Sequence, residues 1–167
     1  MRREAGFTLI ELLVAVVVLT VGLLGVAKLS LSTVQANGSA YMRSQATALV
    51  QQIVDDMHSN KNVALALGYN VAFGAAPPAT ANCEAAACTT AQIANFDLNR
   101  WLTRLAAQLP NGQGQIVTAA AVNPASGSNE TTVTVSVRWN DSVAQWAFGT
   151  PTAVAPAPMQ ITMETLL

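Results

Sequence analysis

The chain has 167 residues, which suits one domain with a modest core, and a net charge of −1. Charged residues make up only 10% of it, and neither end carries a long basic run, which argues against nucleic acid as a partner. Hydrophobic residues make up 51%, an excess for a soluble protein. Part of the chain is therefore expected to lie outside water.

Much of that excess falls in residues 7–29, where Glu11 and Lys28 are the only charged residues. An apolar stretch of about 20 residues matches the roughly 30 Å hydrocarbon thickness of a bilayer. Arg2 and Arg3 precede the stretch, and positive charge before an apolar span keeps that end in the cytoplasm. We therefore predict a single transmembrane helix whose C-terminal side is exported.

A cleaved signal peptide is the alternative interpretation of this span. Gly25-Val26-Ala27 offers small residues at a suitable spacing, so cleavage after Ala27 would release a soluble periplasmic protein that begins at Lys28. Glu11 favours retention of the span, because an acidic group in lipid is costly and is usually kept for a function. Its place near the start of the span also allows it to reach the interface and stay hydrated.

The stretch Gly6-Phe7-Thr8-Leu9-Ile10-Glu11 resembles the prepilin peptidase motif of type IV pilins and type II secretion pseudopilins. The resemblance implies cleavage between Gly6 and Phe7, N-methylation of Phe7 and retention of the apolar helix. It also implies that Glu11 acts in assembly, where the terminal amine of a neighbouring subunit can neutralise its carboxylate. The Phe7 amine of the same chain is one helical turn away and is a second candidate partner.

Beyond the span, the pattern becomes amphipathic without a break. Apolar residues recur at helical spacing, with polar residues between them, at Leu49, Val50, Ile53, Val54 and Met57. We predict one helix from Phe7 to about Ser59, roughly 80 Å long, with its second half packed on a globular head. Gly22 and Gly25 disfavour helix by up to about 1 kcal/mol each, so they either let the first half bend or allow close helix packing.

The head is expected to begin with an irregular region over residues 60–89, in which Pro77-Pro78 signals a turn. Cys83 and Cys88 lie in this region, and two cysteines in an exported domain most often form a disulfide. The closed loop is short, so the bond should add only about 2 kcal/mol of stability. A metal site would need more ligands than two thiols, and the spacing is not that of a redox motif. We expect no metal and no cofactor.

A second helix and an antiparallel sheet should complete the head. Thr89-Thr90-Ala91-Gln92 fits a capping box that starts the helix, and Pro110-Asn111-Gly112 ends it. Three strand patterns follow, over residues 115–122, 132–139 and 159–166. Residues 123–129 should form the loop between the first two strands, and residues 144–148 are a candidate edge strand. Trp139 continues an apolar strand face and should lie in the core.

These elements predict an α+β, type IV pilin-like fold, with a long N-terminal helix packed on a small antiparallel-sheet globular head. Residues 1–6 would be the leader peptide and residues 7–29 the transmembrane and filament-core half of the helix. Residues 30–59 would be its amphipathic half, and residues 60–167 the periplasmic or extracellular head.

Further residues of the head resemble the PilV family of minor pilins, the type IV pilus modification proteins. They are the two cysteines, Thr90-Ala91-Gln92, Asp97-Leu98, Trp101, Leu109-Pro110, Gly112, Gly114 and the Val-Thr-Val strand that ends at Trp139. The resemblance implies an inner-membrane prepilin that later joins an extracellular type IV pilus near its tip and primes assembly. The implied partners are prepilin peptidase, other minor pilins, the major pilin and the inner-membrane assembly platform, with a tip adhesin as a further candidate.

Two other function classes remain open. A minor pseudopilin of type II secretion shares the N-terminal motif, and cleavage after Ala27 would give a soluble periplasmic protein. An enzyme is not expected, because the only histidine, His58, lies at the end of a long helix without a recognisable catalytic arrangement. Asp55 and Asp56 point about 100° apart on a helix, which indicates a solvated face rather than a pair of catalytic carboxylates.

Overall fold

A computed structural model of the chain describes residues 8–122, 129–141 and 158–167. Helix α1 runs without interruption from Leu9 to Ser59, 51 residues, or roughly 76 Å at 1.5 Å per residue. The prediction of one long helix is confirmed, and its expected start at Phe7 lies outside the described residues. Gly22 and Gly25 lie inside the helix, and a Cβ atom at either would meet nothing within 4 Å. Within the described chain, neither glycine serves a close packing contact.

Helix α2, Lys61–Leu65, was not predicted, because residues 60–89 were expected to be irregular. Five residues are too few to show a helical period in the sequence. The helix packs against the head through the buried residue Ala64. The helix ends in a paired cap: the Gly68 N–H donates to the Val63 oxygen at 2.9 Å and the Leu67 N–H to the Ala64 oxygen at 3.1 Å. Leu67 holds the left-handed position of this cap, with φ 65°, where glycine is usual.

Helix α3, Thr90–Gln108, begins with the predicted capping box. The Thr89 hydroxyl accepts a hydrogen bond from the Gln92 N–H at 3.3 Å, and the Gln92 side-chain oxygen accepts one from the Thr89 N–H at 2.9 Å. Two N–H groups that the first turn leaves without helical partners are thereby satisfied. Both the start and the end of α3 agree with the sequence prediction.

The sheet has three antiparallel strands in the order β1-β2-β3. They are β1, Gln113–Val122; β2, Asn129–Trp139; and β3, Met159–Leu166. The predicted strands are confirmed, but β2 begins earlier than expected, so Asn129 pairs with Val122 and belongs to the strand rather than to the loop. The candidate edge strand at residues 144–148 lies outside the described residues.

The core lies between the second half of α1, helix α3 and one face of the sheet. The predicted α1 positions are all buried, and α3 adds Leu98, Trp101, Leu102 and Leu105. The sheet contributes Ile116, Val133, Val135, Val137 and, as predicted, Trp139. Burial of each large aliphatic side chain stabilises the fold by about 1.5–3 kcal/mol. The head is therefore built on the second half of α1 only, and the first half is left to project from it.

Candidate functional site

The projecting part of α1 is the most unusual surface of the molecule. Between Leu9 and Val34, its large hydrophobic side chains are 52–81% exposed, and the first buried residue of the helix is Ser39. The segment includes an 18-residue window with a mean hydropathy of 2.7, none of which is buried. By length and composition it can cross a membrane, although a signal sequence near an N-terminus has the same properties. Such a surface requires lipid or other apolar helices around it.

Three hydroxyl groups in this segment are satisfied within the helix. Thr20 donates to the Val17 oxygen at 2.8 Å, Ser30 to the Val26 oxygen and Thr33 to the Leu29 oxygen. In apolar surroundings, such bonds remove the need for an external partner. Of the side chains described in this segment, only those of Glu11 and Lys28 bring charge into it.

Glu11 lies in the first turn of α1, where its N–H donates to the Thr8 oxygen at 3.1 Å. Thr8 and Glu11 have the spacing of a capping box, but the Thr8 side chain makes no capping hydrogen bond. The helix dipole stabilises a negative charge at this position. The Glu11 side chain is nevertheless exposed. Glu11 has no ion pair within the described residues. Gly6 and Phe7 lie outside them, so cleavage, methylation and amine pairing stay predictions.

The point where α1 meets the head is marked by a polar contact that the sequence did not reveal. The Ser39 hydroxyl donates a hydrogen bond to Asp141, which lies two residues after the end of β2, and both residues are buried. A hydrogen bond between residues this far apart in sequence leaves no periodic signal. It ties the first buried residue of α1 to the end of the central strand.

A second polar cluster fixes the other end of α1. The Asn60 amide donates to the Thr90 oxygen at 2.7 Å and to the Tyr69 hydroxyl at 3.3 Å, and that hydroxyl donates to Asp97 at 2.7 Å. Burial raises the pKa of the Asp97 carboxyl above its ordinary range, and the Tyr69 hydrogen bond opposes that rise. Burial likewise raises the pKa of the Tyr69 phenol. The cluster joins α1, α3 and the segment between them, and it has the character of a structural network.

Arg100 connects this cluster to α1 by ion pairs with Asp56 at 3.0 Å and with Asp97 at 3.5 Å. The solvated face predicted for Asp55 and Asp56 is therefore correct only for Asp55, which is exposed. Asp56 is half-buried, because α3 packs against this side of α1 and brings Arg100 to it. The sequence pattern of neither α1 nor α3 indicates an ion pair between the two helices.

The two cysteines lie apart from both clusters. A disulfide joins Cys83 to Cys88 and closes a short loop before α3. His58 is exposed on α1. Among the residues that the structure describes, no group of three or more His, Cys, Asp or Glu side chains could hold a metal ion.

Two family models match consecutive parts of this chain. The prokaryotic N-terminal methylation motif matches residues 1–27, and a model described as Type IV pilin Tt1218 matches residues 28–99. Comparison with curated proteins and with solved structures gives no match. The matched regions together include the whole projecting half of α1, its packed half and the first part of α3.

Proposed function

Because the chain belongs to the type IV pilin-like superfamily, we propose that it is a minor pilin that helps to prime a type IV pilus near its tip. Pilins are structural subunits rather than enzymes, and the motif implies processing by prepilin peptidase and assembly with other pilins. In this proposal residues 1–6 are removed. Residues 7–29 anchor the prepilin in the inner membrane and later enter the filament core. Residues 30–59 carry the head, residues 60–167, to the filament surface.

The observation that carries the proposal is the continuity of α1. The same helix supplies an exposed apolar segment and, from Ser39 onward, part of the head core. Gly25-Val26-Ala27, the candidate signal peptidase site, lies inside the exposed part of this helix rather than at the border of the head. Retention of the whole helix gives every part of it a role, in lipid first and then among other subunits.

The finer assignment to the PilV-like minor pilins rests on residues of the head. Trp101 and Gly114 pack against each other, and Asp97 accepts the Tyr69 hydrogen bond. These PilV-like residues hold the interior of the head together, so the resemblance concerns its architecture. A type II secretion pseudopilin is the alternative outcome of the tests below.

Processing gives the first test. N-terminal sequencing of the membrane-bound protein should begin at a methylated Phe7, and Gly6→Leu should leave the full-length precursor. Gly22→Leu is the matched control, because it places the same side chain in open space outside the motif and should leave cleavage intact. A mature protein that begins at Lys28 would refute the proposal in favour of a soluble periplasmic protein.

Loss of the gene product gives the second test. Deletion should reduce the number of surface pili while type II secretion continues, and the protein should be found in sheared pili at far lower abundance than the major pilin. Normal piliation with a secretion defect would instead identify a pseudopilin.

A further inference from the structure

Lys28 is the second charged residue of the projecting segment. It follows Glu11 by 17 positions, which places it about 26 Å further along the helix axis. Lys28 is exposed among exposed apolar neighbours such as Leu24 and Leu29, and within the described residues it has no ion pair. Its charge therefore needs compensation from outside the chain whenever water is removed.

A bilayer can accommodate both charges without pairing them. The distance of about 26 Å is slightly less than the roughly 30 Å hydrocarbon thickness, so each charge lies near one interface. A lysine side chain can extend to the headgroups while its methylene groups stay in lipid. Among the apolar helices of a filament there is no such interface, and an unpaired ammonium group becomes costly.

On the premise of the proposed function, we propose that Lys28 binds the first-turn carboxylate of a neighbouring subunit's apolar helix. This chain shows the chemistry of such a partner, because it carries Glu11 at the equivalent place in its own first turn. Two parallel helices must then be offset by about 26 Å to bring the ammonium and carboxylate together. A carboxylate has two acceptor oxygens, so it can bind Lys28 and a terminal amine at once.

The side chains of Lys28 and Glu11 point in directions that suit contacts with different subunits of a filament. Seventeen residues at about 100° each place Lys28 and Glu11 roughly 100° apart around the helix axis. The two charges therefore face different neighbours. Contacts between two different surfaces of each subunit are those that build open helical arrays rather than closed pairs.

Zero-length carbodiimide coupling of assembled filaments tests this pairing directly. Lys28 and Lys61 are the only lysines of the chain, so mass spectrometry can assign the coupled amine. The expected product is an amide between Lys28 and the first-turn acid of a partner helix. Lys28→Arg should abolish the product and keep incorporation into sheared filaments, because arginine keeps the charge but does not form this amide.

Lys28→Gln should lower incorporation by about three- to fifteenfold, the range that interhelical polar contacts in apolar surroundings provide. Lys61→Gln, on the exposed surface of α2, is the matched control and should leave incorporation unchanged. Equal amounts of each variant in the membrane fraction would establish that all of them insert.

Two results would overturn the inference while leaving the proposed function intact. One is normal incorporation of the Lys28→Gln variant, and the other is coupling of Lys28 only to acids outside a partner's first turn. Absence of the parent protein from sheared filaments would refute the proposed function and this inference with it.

Discussion

The indole Nε1 of Trp101 donates a hydrogen bond to the main-chain oxygen of Leu49 at 3.0 Å, so α3 is fixed to α1 by a buried polar contact. The same ring occupies the space above Gly114, where a Cβ atom would lie 2.3 Å from the ring carbon Cη2 and 2.8 Å from Leu105 Cδ1. The helix pair and the start of β1 are therefore packed around one aromatic side chain.

Gly114→Ala should destabilise the head by about 1–3 kcal/mol, because the added methyl group forces the Trp101 ring to move in a filled core. Urea unfolding of the full-length chain in detergent, followed by near-ultraviolet circular dichroism, measures the change. Gly38→Ala is the matched control: its Cβ meets nothing within 4 Å, and alanine favours helix by up to about 1 kcal/mol. Equal stability of Gly114→Ala and the parent would contradict the packing of Trp101 on Gly114.

Asp97→Asn should change how stability depends on pH. A carboxyl group whose pKa is raised by folding binds its proton more readily in the folded state, so its contribution is greatest in acid and is lost as pH rises through the folded-state pKa. Above about pH 4, the parent should therefore lose stability relative to Asp97→Asn. Tyr69, Asp56 and Arg100 face this group and remain in both proteins.

Unfolding free energies from pH 3.5 to 7 check this difference, with the exposed Asp55→Asn as control. A parent-to-variant difference that stays constant with pH, or that grows in the opposite direction, would show that burial does not control the Asp97 carboxyl.

Leu67→Gly should stabilise the head by about 0.5–1 kcal/mol. The left-handed backbone at Leu67 costs a side-chain-bearing residue about 1–2 kcal/mol, and the greater freedom of glycine in the unfolded chain offsets part of the gain. Leu67 is exposed, so little burial is lost. Leu65→Gly, in the last turn of α2, should instead destabilise. A higher unfolding midpoint for the first variant and a lower one for the second is the expected pattern.

Replacement of Cys83 and Cys88 by serine should lower head stability by about 2 kcal/mol, because the bond closes only a short loop. Membrane insertion should be unchanged, since it depends on the distant apolar segment. Unfolding of the parent with and without reductant gives the same comparison without mutation. Mass spectrometry of the unreduced protein that found two free thiols would contradict this prediction.

Glu11→Ala should leave insertion intact and weaken incorporation into filaments. Removal of a charge from an apolar span lowers the cost of insertion, whereas assembly loses a partner for a buried cation. The amounts of protein in the membrane fraction and in sheared filaments separate the two effects. Thr20→Val is the matched control, because the Thr20 hydroxyl is already satisfied by Val17. Full incorporation of Glu11→Ala would favour a hydrated Glu11 at the interface.

Long periodic elements could be predicted from the sequence, and long-range polar contacts could not. The apolar residues at helical spacing in α1, the capping box at Thr89 and the alternation that ends at Trp139 each express a local rule. Helix α2 was missed because five residues show no period. The Ser39–Asp141 and Tyr69–Asp97 hydrogen bonds depend on how distant segments meet, which no local pattern encodes.

The buried contact between Ser39 and Asp141 also has a mechanical consequence. Tension along the projecting half of α1 reaches the head first at Ser39, where the helix becomes buried. Asp141 passes that force to β2, the strand that is hydrogen-bonded on both sides, by β1 and by β3. Tension on the projecting half of α1 is thus distributed over all three strands of the sheet and does not act on one edge strand alone.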